Sequence, residues 1–201
     1  MRAEVRHMHE CEVGEVFTLT EWKLKSPKFA KEINSEIRII PTRWVTVAKN
    51  DAVRSRLVVK DVASGDSARS LGISSPTPSA DAFMIFVAIT AHFDWRVASL
   101  DVSHAFMHTP RVLKDVAVKL PQSLTSSSGE TLILWPRKAL NGLRSASLEW
   151  LLYLQKLVAA LGLQSERLEP CFFSGVMQSG GHALLITYVD TFFIPLNCQL
   201  T

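Results

Sequence analysis

Two alternating runs, RVASLDVS at Arg96 to Ser103 and LLITYVDTFFI at Leu184 to Ile194, each set one aspartate among apolar, β-branched and aromatic residues. Alternation of this kind reads as strand. In the first run Val97, Ser99, Asp101 and Ser103 share a face. In the second, read as one continuous strand, Ile186, Tyr188, Asp190 and Phe192 share one face, with Thr187, Val189, Thr191 and Phe193 on the other. A bare carboxylate on a buried face is costly, so each must be paired, protonated, bound to a metal, or placed at a hairpin tip where water reaches it. Taken alone, Asp190 favours the turn reading, because Asp is a common turn residue.

The rest of the chain is mixed. Its 201 residues are 47% hydrophobic, enough for a real core in one large domain or two interleaved subdomains. The formal net charge of +3 permits a polyanionic partner without demonstrating one. Its distribution says more: Arg38, Arg43, Lys49, Arg54, Arg56 and Lys60 crowd two strand-like runs, IRIIPTRWVTVAK and RSRLVVKDV, joined by a tight turn at Asn50-Asp51-Ala52. Pro41 places the start of the first good strand at Thr42. Arg54, Arg56 and Lys60 alternate onto one face.

Residues 1–35 are polar and poorly periodic, and read as a partly disordered arm with a short helix near Pro27 to Ile33. His7, His9 and Cys11 superficially resemble metal ligands, but no matching second pair follows, and they are assigned no chemistry. Cys11, Cys171 and Cys198 form an odd, widely spaced set that suits free thiols in a reducing compartment. No segment has the length of a membrane span, and the first residues lack the apolar core of a signal peptide, so an intracellular product is expected. Ser79 reads as an N-cap, with Asp81 in the first turn of an apolar, buried helix running to about His92. VAVKLP and ETLILW read as further strands, and Leu148, Leu151, Leu152, Leu154, Leu157 and Val158 mark an amphipathic or buried helix that Gly162 stops. Trp44 and Trp150 read as packing residues.

Two strand aspartates can cooperate only if their strands are neighbours, in which case they suit a two-metal phosphoryl-transfer site built from oxygen ligands. From those two residues alone, unrelated structural positions are as good a reading.

The flanking words narrow the choice. In order, SEIRIIPTRWVTVAKN, RSRLVVKDVA, WRVASLDVSHAFMHTP, VAVKLPQ, LWPRKALNGLRSASLEW and LLITYVDTFFI resemble the blocks of a copia-type LTR-retrotransposon reverse transcriptase, over roughly residues 35 to 195. The resemblance implies an α+β, right-hand polymerase fold, with fingers and palm in residues 36–195, an antiparallel palm sheet packed on helices, and a tail at 196–201. It implies template-directed nucleotidyl transfer from deoxynucleoside triphosphates onto a primer, on an RNA or DNA template, with Mg²⁺ as cofactor and Mn²⁺ as a substitute. It also implies a cytoplasmic, particle-associated or nuclear location.

Carried over position by position, Asp101 matches the first metal-binding aspartate. Asp190 matches the first aspartate of the Tyr-x-Asp-Asp box, here Tyr188-Val189-Asp190. Thr191 stands where the family has its second aspartate, and a hydroxyl adds no negative charge. The resemblance further assigns Arg54, Arg56 and Lys60 to the triphosphate, Phe106 to a floor under the incoming sugar, Asn141 and Gly142 to the nucleotide base, and Arg144 to a template phosphate. In the family the palm continues into a thumb and an RNase H domain, whereas PLNCQLT follows here. The expectation is a polymerase domain impaired at Thr191 and by loss of the thumb, with a non-catalytic, nucleic-acid-binding remnant as the alternative.

Overall fold

The computed structural model describes residues 2–49, 52–61, 77–111, 115–176 and 181–196. In chain order its elements are α1 (Arg2–Glu10), β1 (Gly14–Thr18), α2 (Leu19–Ile33), β2 (Arg38–Lys49), β3 (Ala52–Val59), α3 (Ala80–His92), β4 (Arg96–Asp101), α4 (Ala105–His108), β5 (Val116–Lys119), β6 (Leu132–Pro136), α5 (Ala146–Ala159), β7 (Leu163–Ser165), β8 (Phe172–Val176), β9 (His182–Tyr188) and β10 (Thr191–Leu196). The fold is mixed α and β, with two five-stranded sheets among the described residues. It divides into two units, Met1–Ile73 with Phe106–Glu149, and Ser74–Ala105 with Trp150–Thr201. No helix among the described residues is long and apolar enough to cross a membrane.

The first unit holds the sheet β1-β6-β5-β2-β3. Its β2–β3 hairpin follows the alternation in the sequence: Ser55, Leu57 and Val59 are buried, while Arg54, Arg56 and Lys60 are exposed. The turn residues Asn50 and Asp51 lie outside the described residues. β2 begins earlier than Pro41 suggests, because Arg38 to Pro41 pair in parallel with Val116 to Lys119 of β5 before Thr42 to Lys49 turn to β3. Proline lacks only the donor, and the Pro41 carbonyl still accepts from the Lys60 amide at 2.9 Å.

At β5 both faces of this sheet are covered, which explains why Val116, Ala117 and Val118 are all buried. On one face Leu57, Val59, Val118, Leu134 and Leu140 form the core. On the other, Ala117 and Ile133 meet Phe17 and Trp22, and Phe29 stacks on Trp135 at 5.4 Å.

Residues 2–33, which read as an arm, fold here as α1, β1 and α2. The helix α2 is twice as long as its apolar pattern suggests. Thr18 and Glu21 cap it reciprocally, a Thr-x-x-Glu box present in the sequence and obscured by Pro27 further along. The β1 strand pairs with β6, and the buried Glu4 of α1 accepts from the Leu57 amide on β3 at 3.3 Å, satisfying a donor that an edge strand would leave open.

The second unit holds the antiparallel sheet β4-β10-β9-β8-β7. The Ser79 hydroxyl accepts from the Ala82 amide at 3.1 Å and starts α3 at the position the sequence indicates. The helix is not buried all round. Ala82 and Phe86 pack on Ile186, and Phe83 meets Phe193 edge to face, whereas Met84, Ile85 and Val87 face outward. A helix laid on one sheet buries one stripe only. The α5 helix buries Trp150, Leu151, Leu154 and Val158, and Gly162, with φ +91°, follows its end.

Candidate active site

The run LLITYVDTFFI is not one strand. Tyr188 ends β9, Thr191 opens β10, and Val189 and Asp190 form the two-residue turn between them, with Tyr188 opposite Thr191. The turn resets the alternation, so Ile186, Tyr188, Thr191 and Phe193 share one face and Thr187 and Phe192 the other. Val189 has φ +56° while Asp190 stays at negative φ, the pattern of a II′ hairpin turn. A β-branched residue at positive φ is strained, and such strain persists only where the surroundings over-determine it.

Two side chains do so here. The Trp150 indole N–H donates to the Val189 carbonyl at 2.7 Å, and the Thr187 hydroxyl lies 3.2 Å from both the Val189 and the Thr191 carbonyls. The Trp150 ring also meets Phe192 edge to face. Sequence reasoning assigned Trp150 to packing alone and missed its polar contact, since nothing local marks a partner thirty-nine residues away. Trp150→Phe keeps one aromatic ring but removes the donor and leaves a gap at a buried position, and is expected to cost about 2–3 kcal/mol in urea unfolding. A loss indistinguishable from zero would mean the indole does not hold the turn.

The first aspartate joins the hairpin through β4. The β4 and β10 strands are antiparallel neighbours, with Asp101 directly opposite Thr191. The Val102 amide donates to the Asp190 carbonyl at 2.9 Å, which makes Asp101 and Thr191 a non-hydrogen-bonded pair, the sort whose side chains lie closest, with Cα atoms about 4.5 Å apart. Asp101, Asp190 and Thr191 are thus gathered at one end of one sheet. Asp101 is exposed and Asp190 half-buried, so neither is the carboxylate stranded on a buried face that a continuous strand implies. An apolar cleft of about 450 Å³, with Phe83, Met84, Tyr188 and Thr191 in its wall, adjoins this end.

The other residues singled out in the sequence lie in the first unit. Arg54, Arg56 and Lys60 project from the open face of β3 and its extension. Phe106 is partly buried against the core that contains Leu57 and Leu140. Gly142 does permit a close backbone approach, but to β3: with φ +87°, its missing Cβ would sit 2.2 Å from the Val59 carbonyl oxygen. Next to it, the Asn141 carbonyl accepts from the Val59 amide at 2.8 Å. Arg144 is tied down as well, with its Nε 3.3 Å from Asp61 and its amide donating to the same carboxylate at 3.1 Å.

Asp61 also faces Arg38, which pairs with Asp115 at 3.0 Å. Arg111, its side chain 1% exposed, approaches Asp115 and donates to the Val116 carbonyl at 2.9 Å. Burial lowers the pKa of this guanidinium, and Glu149, Asp115 and Asp61 oppose that shift. This network was not legible in sequence, because its members come from four separate segments.

A carboxylate in a tight hairpin turn beside a second carboxylate on the next strand is an oxygen-donor arrangement suited to hard divalent cations. The family described as reverse transcriptase (RNA-dependent DNA polymerase) matches residues 29–198. The chain belongs to that family, and is by family a nucleotidyltransferase whose members take a nucleic-acid template and deoxynucleoside triphosphates and use divalent metal ions. No curated protein matches it.

Proposed function

We propose that the chain is the fingers and palm of a copia-type LTR-retrotransposon reverse transcriptase that extends a primer on an RNA or DNA template. The observation that carries this reading is the register that sets Asp101 opposite Thr191, with Asp190 in the adjoining turn. Two carboxylates and a hydroxyl form a hard donor set that fits Mg²⁺, with Mn²⁺ as a substitute. When bound, such ions lower the pKa of a 3′-hydroxyl and neutralise the leaving pyrophosphate.

The chain's own residues position these groups. Asp101 and Asp190 hold the ions, and Trp150 and Thr187 keep the turn that presents Asp190 in its strained shape. Arg54, Arg56 and Lys60 offer a row of cations to the triphosphate, and guanidinium forks match phosphate oxygens. Phe106 is assigned to the sugar, and Asn141 and Gly142 to the base through the loop they form against β3. Arg144 meets a template phosphate only by sharing its guanidinium with Asp61. Thr191 supplies no charge, so activity is low.

Primer extension on an RNA template tests this directly. Incorporation with Mg²⁺ or Mn²⁺ is expected to be weak and to vanish in Asp101→Asn, a surface change that leaves the fold intact. Incorporation that persists in Asp101→Asn would show that the carboxylate pair is not the catalytic centre.

A second reading is favoured by the hydroxyl opposite Asp101: a non-catalytic remnant that binds nucleic acid through the exposed cations of β3. It predicts steeply salt-dependent, metal-independent binding to an RNA/DNA hybrid, with no incorporation.

A further inference from the structure

The first unit brings together three side chains that the polymerase chemistry does not use. His7 and Cys11 are one helical turn apart, and the Cys11 amide donates to the His7 carbonyl at 2.9 Å, so both fall on one face of α1 and its continuation. His108 closes α4. The ligand atoms of the three lie within 4.8 Å of one another. The His7 Nε2 and Cys11 Sγ are 3.5 Å apart, while His7 Nδ1 faces the Glu10 carboxylate at 3.4 Å. A carboxylate on the far ring nitrogen is how metal-binding histidines are held in orientation.

The spacing is itself informative. A tetrahedral ion with a metal–sulfur bond of about 2.3 Å and a metal–nitrogen bond of about 2.0–2.1 Å separates its sulfur and nitrogen ligands by about 3.6 Å. His7 and Cys11 already stand at that separation. The His108 side chain is exposed and has room to close on them. One thiolate with two imidazoles is a borderline-soft donor set, suited to Zn²⁺ and poorly to Mg²⁺.

We propose that His7, Cys11 and His108 bind one Zn²⁺-class ion, with water in the fourth position, as a site separate from the Asp101 and Asp190 carboxylates. As the metal–sulfur bond forms, the Cys11 thiol proton passes to solvent. The ion ties the N-terminal helix to the segment bearing His108, an addition to the contacts through which Glu4, Met8 and Cys11 already dock it.

Co²⁺ is the probe, added to the full chain in excess Mg²⁺ so that carboxylate sites are occupied. One equivalent is expected to bind with a thiolate-to-cobalt charge-transfer band in the near ultraviolet, and Zn²⁺ should displace it. Cys11→Ser should abolish the band, His108→Ala should weaken binding at least tenfold, and His9→Ala and Asp101→Asn should leave both unchanged. Circular dichroism of each variant checks that it is folded. A band that is missing from the unaltered chain, survives Cys11→Ser, or is as tight in folded His108→Ala overturns the proposal.

Discussion

Thr191→Asp is expected to raise template-directed incorporation by roughly a thousandfold over the unaltered chain, an effect of about 4 kcal/mol on metal and transition-state stabilisation. Thr191 sits directly opposite Asp101 in the closely spaced kind of cross-strand pair, and Asp190 precedes it in the turn. A carboxylate there restores a third charged donor at the same end of the sheet. Without metal, however, two carboxylates directly opposite each other repel, at a cost of up to about 1 kcal/mol. The variant should therefore melt below the unaltered chain in chelator and recover most of that difference in Mg²⁺, which the unaltered chain should not do to the same extent. A variant that shows the metal-dependent recovery without incorporation would locate the defect elsewhere than position 191. If it showed neither, the arrangement of Asp101, Asp190 and position 191 proposed as the metal site would be wrong.

The largest loss of stability is expected from Gly142→Ala. An alanine at φ +87° carries backbone strain of about 1–2 kcal/mol, and its Cβ would meet the Val59 carbonyl oxygen at 2.2 Å and the Val59 nitrogen at 2.9 Å. Both are backbone atoms of a strand held on its other side by β2, so relief requires moving the loop or the hairpin. Overpacking adds about 1–3 kcal/mol more, and the hydrogen bond from Val59 to Asn141 is lost or lengthened. A total of about 3–5 kcal/mol corresponds to a Tm lower by roughly 10 °C in a chain of this length. Thermal and urea unfolding would measure it. A Tm within a degree or two of the unaltered chain would mean that the loop at Leu140 to Leu143 does not lie against β3 as described.

Local signals carried much of the fold. The alternation of Arg54, Arg56 and Lys60 onto one face marked the strand, whose other face buries Ser55, Leu57 and Val59, and Ser79 marked the start of α3. A hydroxyl cap and a two-residue period act over a few residues and need no distant partner. Apart from α2, whose local capping box was obscured by Pro27, the reading failed where a partner was distant. Pro41 lies within β2 because β5 supplies a second neighbour there. The outward face of α3 is as apolar as its packed face, so composition could not say that only one of them is covered.

The candidate site divides along the same line. Asp101, Asp190 and the substitution at Thr191 stand out in the sequence as aspartates in apolar runs and as members of ordered motif blocks. The turn at Asp190 is the reading its residue type already favours, but that Thr191 faces Asp101 is a matter of strand register, which depends on pairing between segments far apart in the chain. The contact of Trp150 with Val189, the hold of Asp61 on Arg144, and the arrival of His108 beside His7 and Cys11 are of the same kind. By itself the sequence determined most elements after residue 35, the family and the carboxylates. The tertiary structure alone decided which groups stand within reach of one another, because loop closure and sheet register set those distances and neither is written in any local stretch of residues.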